Sequence, residues 1–407
     1  MSYSTTSLVF LALISVVSGQ KLMRVNSFNG NNVTNPLNVP APYSIYVSAN
    51  DDKMDDIYRK MFIVSKTDSI SLYDLKTRKL NQTVGGLERY VINDTAYLRT
   101  DLSDDFLAGL NGVMYLSSPE QVANKNFLVF NVDSDQNLKF DRLGKIDLTI
   151  LFLTTNRGST LISEWSQNPN SLVYIYNGFP KDAVEPENSQ IFSNPVVTDM
   201  LNQFFPNVEK FSISQVAFYM KTYKGAPNLR IAPGSADIAG TVTTAFTTTG
   251  FYMKPIDQAE NGGIQVNIMK DPKYSGWTGC NIIGYSPYGG MVSFEVYEGS
   301  HHYGQSTVVT DYFTPWSTPH IGNNFVISST IPGHYAYYLQ YFIVQEPLIN
   351  STTPSQTTTP TSQTTVVTTP TTVITTSKTP ETTTKSSEKT NGLAALVLMV
   401  ALRFLRF

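Results

Sequence analysis

Apolar side chains recur at every second position through much of the chain. Ile264, Val266 and Ile268 alternate in GGIQVNIMK, and Val292, Phe294 and Val296 do so in MVSFEVYEG. Tyr335, Tyr337, Leu339, Tyr341 and Ile343 share one face of HYAYYLQYFIV. A period of two places such residues on one side of a strand and predicts antiparallel sheets packed on a core. Ile146–Leu153 (IDLTILFL) and Phe211–Tyr223 (FSISQVAFYMKTY) are further β-rich runs, bounded by Asn, Gly, Pro and Ser. One helix is predicted over Asn194–Phe205, with Asn194 as cap, Pro195 at the first helical position and an apolar stripe of Val197, Met200, Leu201 and Phe204. The expected fold class is all-β: two or three antiparallel β-sandwich modules, over residues 20–110, 111–210 and 211–349.

The two ends of the chain have a different character. Leu8–Val17 is an apolar run too short to span a bilayer, and small residues follow at Val17-Ser18-Gly19. It reads as a secretory signal peptide over residues 1–19, although residues 1–7 carry no Lys or Arg. From Ser351 to Thr390, 25 of 40 residues are Thr or Ser, punctuated by Pro354, Pro360, Pro370 and Pro380. Such a segment has too few large apolar groups to offset chain entropy. It reads as a disordered, O-glycosylated, mucin-like stalk over 350–391, with a reach of up to ~120 Å in extended geometry.

Residues 392–407 end in a hydrophobic tail. Leu393–Leu402 supplies ten apolar residues, short of the ~20 that a spanning helix needs. A removable lipid-anchor (GPI) signal fits this length, with Ser386, Ser387 and Asn391 as candidate attachment residues. Arg403 and Arg406 dilute the tail, so the rival reading is a short span with snorkelling arginines.

Charge and cysteine usage narrow the partners. Charged residues are 15% of the chain and the net charge is −3; with no Lys/Arg block, nucleic acid is not an expected partner. Asn32, Asn81, Asn93 and Asn350 head N-glycosylation sequons. Cys280 is the single cysteine, so no intramolecular disulfide forms and stability rests on packed cores. Cys280 reads as a small buried hydrophobe, with an intermolecular disulfide as the alternative.

A phrase recurs within the strands. Tyr73 precedes Asp74 in SISLYDLKT, Tyr176 precedes Asn177-Gly178 in SLVYIYNGF, and Tyr297 precedes Glu298-Gly299 in VSFEVYEGS. Each copy reads as a strand ending in a turn. The phrase resembles the V-x-V-Y-D-G of CUB domains, and the chain is most similar to the divergent CUB-like domains of nematode surface proteins. The last module carries most of the likeness, where SFEVYEGSHHYGQS is followed by NNFVISSTIPGHYAYYLQYFIV. The resemblance implies CUB-like jelly-roll modules that bind protein or glycan ligands without catalysis, calcium in end loops, and a role in innate defence or stress response.

Catalytic patterns are weak by comparison. The histidines are His301, His302, His320 and His334, and no H-E-x-x-H phrase occurs. His301 and His302, near Glu298, are adjacent on a strand and face opposite sides, which does not suit a shared metal. Ser286 in GYSPYGG departs from a nucleophile elbow, because the second glycine is one residue late and Pro287 occupies the turn. Asp133, Asp135 and Asn137 have the alternating spacing of a calcium loop, but Leu138 replaces the required glycine and Gly144 the terminal glutamate. No cofactor is expected apart from calcium at these residues. Trp277, Tyr285, Tyr288, Tyr303, Tyr312 and Trp316 are the candidate ligand-contact aromatics.

The expectation is therefore a non-catalytic, GPI-anchored glycoprotein on the extracellular face of the plasma membrane, reached by the secretory pathway. It would bind an extracellular protein or glycan and hold the membrane through its lipid. The alternatives are a surface-displayed hydrolase and a passive mucin-like coat protein.

Overall fold

The computed structural model describes residues 19–49, 54–80, 84–155, 159–181, 189–197 and 202–236, and between 241 and 347 the strands plus residues 247 and 300. Residues 1–18 of the expected signal peptide, and the segments 350–391 and 392–407 expected as stalk and anchor signal, lie outside the described residues. So do Asn81, Asn350, Ser286, His334, Ser386, Ser387 and Asn391.

The first group of strands comprises β1 (Lys21–Arg24), β2 (Asn35–Pro36), β3 (Tyr43–Ala49), β4 (Met61–Val64), β5 (Ser69–Ser71), β6 (Tyr90–Ile92), β7 (Tyr97–Thr100) and β8 (Gly112–Leu116). They form two four-stranded antiparallel sheets, ordered β1-β8-β3-β6 and β2-β7-β4-β5. Ile45, Val47, Met114 and Leu116 of the first sheet share one core with Met61, Ile63, Ile70 and Leu98 of the second. Alternation along β4 sends Met61 and Ile63 inward and leaves Phe62 on the outer face.

Short helices fill the connections: α1 (Asp55–Tyr58), α2 (Leu72–Thr77), α3 (Asp104–Ala108) and α4 (Pro119–Ala123). The first Tyr-acid phrase is a correction to the sequence reading, because Tyr73 and Asp74 lie in α2 and not at a strand end. Ser71 caps that helix by accepting from the Asp74 amide at 3.0 Å, which turns the chain from β5 directly into helix and buries Leu72 and Leu75.

The second group is built around strand Leu148–Leu153, which runs antiparallel to Ala217–Tyr223 and parallel to Phe127–Asn131. Phe130, Phe152 and Phe218 stack in sequence in its core, with centroids 5.9 and 4.9 Å apart. The run read as one β stretch from Phe211 divides: Phe211–Ile213 pairs with Thr160–Ser166, and Ala217–Tyr223 joins the other sheet. The second phrase is as expected. Tyr176 nears the end of strand Leu172–Asn177, and Gly178 turns the chain at φ 83°.

The helix expected over Asn194–Phe205 does not form. Asn194 ends strand Gln190–Asn194, and Val196–Val197 pairs with Asn202–Gln203; residues 198–201 lie outside the described residues. The buried Asn194 carboxamide donates to the Phe205 carbonyl at 2.9 Å and accepts from its amide at 3.0 Å, so it clamps two chain segments instead of capping a helix.

In the third group, strands Thr248–Lys254, Tyr274–Gly284, Thr314–His320 and Tyr337–Pro347 make one sheet with Asn207–Val208. Asn261–Ile268, Met291–Glu298, His301–Val308 and Asn324–Thr330 make another with Thr241–Thr244. The third phrase ends strand Met291–Glu298, where Glu298 pairs with His301 across a tight hairpin. Strand Tyr337–Pro347 is buried on both faces over residues 341–344, so it exceeds the one-sided pattern read from its alternation. Cys280 lies in register with Tyr341 and Trp316.

The described fold is thus predominantly antiparallel β-sheet with few, short helices. Among the described residues three strand pairs run parallel.

Candidate functional site

The outer face of the β2-β7-β4-β5 sheet carries an open groove of about 540 Å³, a volume within the range of small-ligand sites. Phe62 and Val64 of β4 form its apolar part, and Phe62 is 40% exposed. Arg59, Lys60 and Arg99 surround that patch, with Asp101 as the single carboxylate among the lining residues. Ser69, Thr100 and Asn32 complete the wall.

The two arginines are set in place by local structure. Arg99 sits on β7 directly opposite Phe62 in the antiparallel register. Arg59 follows α1; its Nη1 lies 3.1 Å from Asp56 Oδ1, and its guanidinium carbon is 3.7 Å from the centre of the Tyr73 ring. That ring comes from α2, which is fastened to α1 by a largely buried ion pair, Lys76 Nζ to Asp55 Oδ1 at 2.6 Å.

Asn32 reaches the groove through a tight turn. Asn31 and Asn32 have φ of 54° and 63°, and the Val33 amide bonds to the Gly30 carbonyl at 2.9 Å. The turn is pinned to the end of β7 by Asn31 N–H to Leu102 O at 2.6 Å and Asn32 N–H to Thr100 O at 2.8 Å. From there Asn32 Oδ1 accepts a hydrogen bond from Arg99 Nε at 3.3 Å. Arginine's planar fork suits carboxylate, sulfate or phosphate groups, and an exposed ring suits an apolar sugar face.

The other residues singled out from the sequence are dispersed. Asn93 is exposed, as a glycan acceptor must be, but lies away from the groove lining. Asp135 is engaged by the Arg230 guanidinium, which holds its carboxyl below the usual range, and Arg230 also bonds Glu164 Oε1 at 3.0 Å. Asp133 accepts from Asn131 Nδ2 at 2.5 Å and lies 3.9 Å from Lys79 Nζ. Asn137 is in strand Gln136–Leu138. Among the described residues no group of three His, Cys, Asp or Glu side chains is arranged to hold a metal.

On the last hairpin, His302 stacks on Tyr297 at 4.7 Å, and its Nε2 lies 3.3 Å from Glu295 Oε2. The Glu295 bond raises the Tyr297 hydroxyl above its ordinary pKa. Tyr303 is 50% exposed on the edge strand. Trp277 and Trp316 occupy strands, but their side chains, with Tyr285, Tyr288 and Tyr312, lie outside the described residues.

Apart from Asn32, which heads a sequon, the groove residues were not singled out from the sequence. Arg59, Lys60 and Arg99 are ordinary charges separated by up to forty positions, and only the pairing of β4 with β7 brings them together. One signal was present: KMFIVSK breaks strict alternation, leaving an apolar residue on what should be the polar face.

The described residues define a predominantly antiparallel β protein with an exposed groove lined by Arg59, Lys60 and Arg99. The profile of the transmembrane glycoproteins matches residues 40–401, and the chain belongs to that family. The family describes a membrane or cell-surface glycoprotein. It does not name the nematode CUB-like group expected from the Tyr-acid phrase. No helix of the described residues is long and apolar enough to cross a membrane. No curated protein matches the chain.

Among solved structures, the CUB1-EGF-CUB2 region of human MASP-1/3 is similar at 8% identity, with a TM-score of 0.17, covering 49% of this chain and 94% of that one. BpGH86A, a beta-porphyranase of glycoside hydrolase family 86 from the human gut bacterium Bacteroides plebeius, aligns at 10% identity and a TM-score of 0.12. It covers 62% of this chain and 42% of that one.

Proposed function

We propose that this chain is a non-catalytic binding glycoprotein of the extracellular surface, held by a lipid anchor and raised on the Thr/Ser/Pro-rich segment, and that its groove binds anionic glycans. The observation that carries this reading is the placement of Arg59, Lys60 and Arg99 around the exposed Phe62 ring. Asp56 pairs with Arg59, but Lys60 and Arg99 stand against Asp101 alone in the lining, which favours a negatively charged ligand, and Phe62 adds a surface for the face of a sugar ring. The family match supports the surface location. The Thr/Ser/Pro composition of residues 351–390 and the short tail support a stalk and anchor. A role in recognition for defence or stress follows from the CUB-like resemblance at the level of process only.

Heparin binding by the full chain on expressing cells tests the groove. Arg99→Ala and Phe62→Ala are each expected to weaken it about tenfold. Binding that ignores both substitutions would refute the assignment. Phosphatidylinositol-specific phospholipase tests the anchor: release of the protein supports a lipid, and retention supports a membrane span.

A further inference from the structure

We propose that an N-glycan on Asn32 is the gate of this groove, covering Phe62 and the cations and keeping an anionic ligand out. The inference rests on reading the groove as a ligand site. Asn32 heads the sequon Asn32-Val33-Thr34, and all three residues are exposed. It is also a lining residue of the groove, unlike Asn93 of the other described sequon. A sugar attached there starts at the groove wall.

The chemistry of attachment preserves the geometry. Transfer forms a bond from Asn32 Nδ2 to the anomeric carbon of the first sugar and breaks that carbon's bond to the diphosphate of a lipid-linked oligosaccharide. The lipid diphosphate leaves, and Nδ2 gives up one proton. Oδ1 takes no part, so the hydrogen bond from Arg99 Nε at 3.3 Å survives. The pinned turn then fixes where the first sugar begins, through the Leu102 and Thr100 carbonyls.

A glycan tethered this close acts at high local concentration, so modest contacts with Phe62 and the cations are enough to compete with a free ligand. Covering the groove about nine-tenths of the time would lower the apparent affinity about tenfold. The device makes binding depend on whether one sequon is occupied during secretion.

The test uses the full chain on expressing cells, labelled heparin as the probe, and glycopeptide mapping to read occupancy of Asn32. Thr34→Ala removes the sequon yet keeps the Asn32 side chain, and Asn32→Gln removes it independently. Thr95→Ala, which deletes the Asn93 sequon, is the control. The expected result is an occupied Asn32 in the wild type, with about tenfold tighter heparin binding after either groove-sequon substitution. Thr95→Ala should change nothing, and adding Arg99→Ala should abolish the gain. An unmodified Asn32, or equal Arg99-dependent binding with and without the sequon, would overturn the gate and leave the groove standing. Heparin binding absent from every variant, or indifferent to Arg99, would remove the groove reading itself.

Discussion

Gly30→Ala tests how the sequon is held at the groove. A β-carbon at Gly30 would lie 2.0 Å from the Leu102 carbonyl oxygen and 3.0 Å from the Ser103 carbonyl carbon. Both obstacles are backbone, so rotation of a side chain cannot relieve the overlap. Restoring ordinary van der Waals contact requires the turn to move by roughly 1.4 Å, which lies beyond the tolerance of the hydrogen bonds that pin it. Those bonds run from Asn31 N–H to Leu102 O (2.6 Å), Asn32 N–H to Thr100 O (2.8 Å) and Gly30 N–H to Asp104 Oδ1 (2.6 Å).

At ~1 kcal/mol for each neutral bond, and somewhat more for the charged one, the loss is about 3–4 kcal/mol. The reduced freedom of the unfolded alanine chain returns ~0.4–1 kcal/mol, leaving a net destabilisation of about 2–3 kcal/mol. Urea denaturation of the mature protein measures the total, and hydrogen exchange at the Asn31 and Asn32 amides shows whether the turn itself has opened. A stability within ~0.5 kcal/mol of wild type, with both amides still protected, would refute the claim that this close approach fixes the sequon.

Two further substitutions probe the interior. Asn194→Ala should cost about 3 kcal/mol in urea denaturation, because it strands the Phe205 amide and carbonyl in a buried site; a change below ~1 kcal/mol would sink the clamp. Tyr43 is almost wholly buried, and its hydroxyl is pushed up to about 12, first by burial and then by the Asp94 carboxylate. The unfolded chain therefore releases this proton first, from pH ~10. The associated stability is complete below that pH and is lost as pH rises toward 12, by about 2–3 kcal/mol. Tyr43→Phe should flatten the decline in denaturation midpoint between pH 9 and 12, and an unchanged slope would show that another group drives it.

Alternation was a reliable guide where a strand has one buried face. Val296, buried between the half-buried Glu295 and Tyr297, follows it. It failed at Asn194–Phe205, where cap, proline and apolar stripe all satisfy helical grammar, yet the Asn194 carboxamide bonds a chain segment eleven residues away. Local propensity is worth a few tenths of a kcal/mol per residue, and a buried pair of hydrogen bonds outweighs it. The Tyr73 phrase misled for the converse reason: a cap from Ser71 to the amide of Asp74, three positions on, supplied a helix start that strand periodicity conceals.

The sequence by itself determined the antiparallel character of the sheets, the four sequons and the shift to a Thr/Ser-rich composition after residue 350, because periodicity, tripeptides and composition are local properties. Tertiary structure alone decided the groove. Arg59 and Arg99 become neighbours only when α1 docks on α2 and β7 pairs with β4, and Asn32 joins them only because Gly30 admits the Leu102 carbonyl. Register and close backbone approach are relations between distant segments, fixed by the shared core that packs Ile45 and Met114 against Met61 and Leu98.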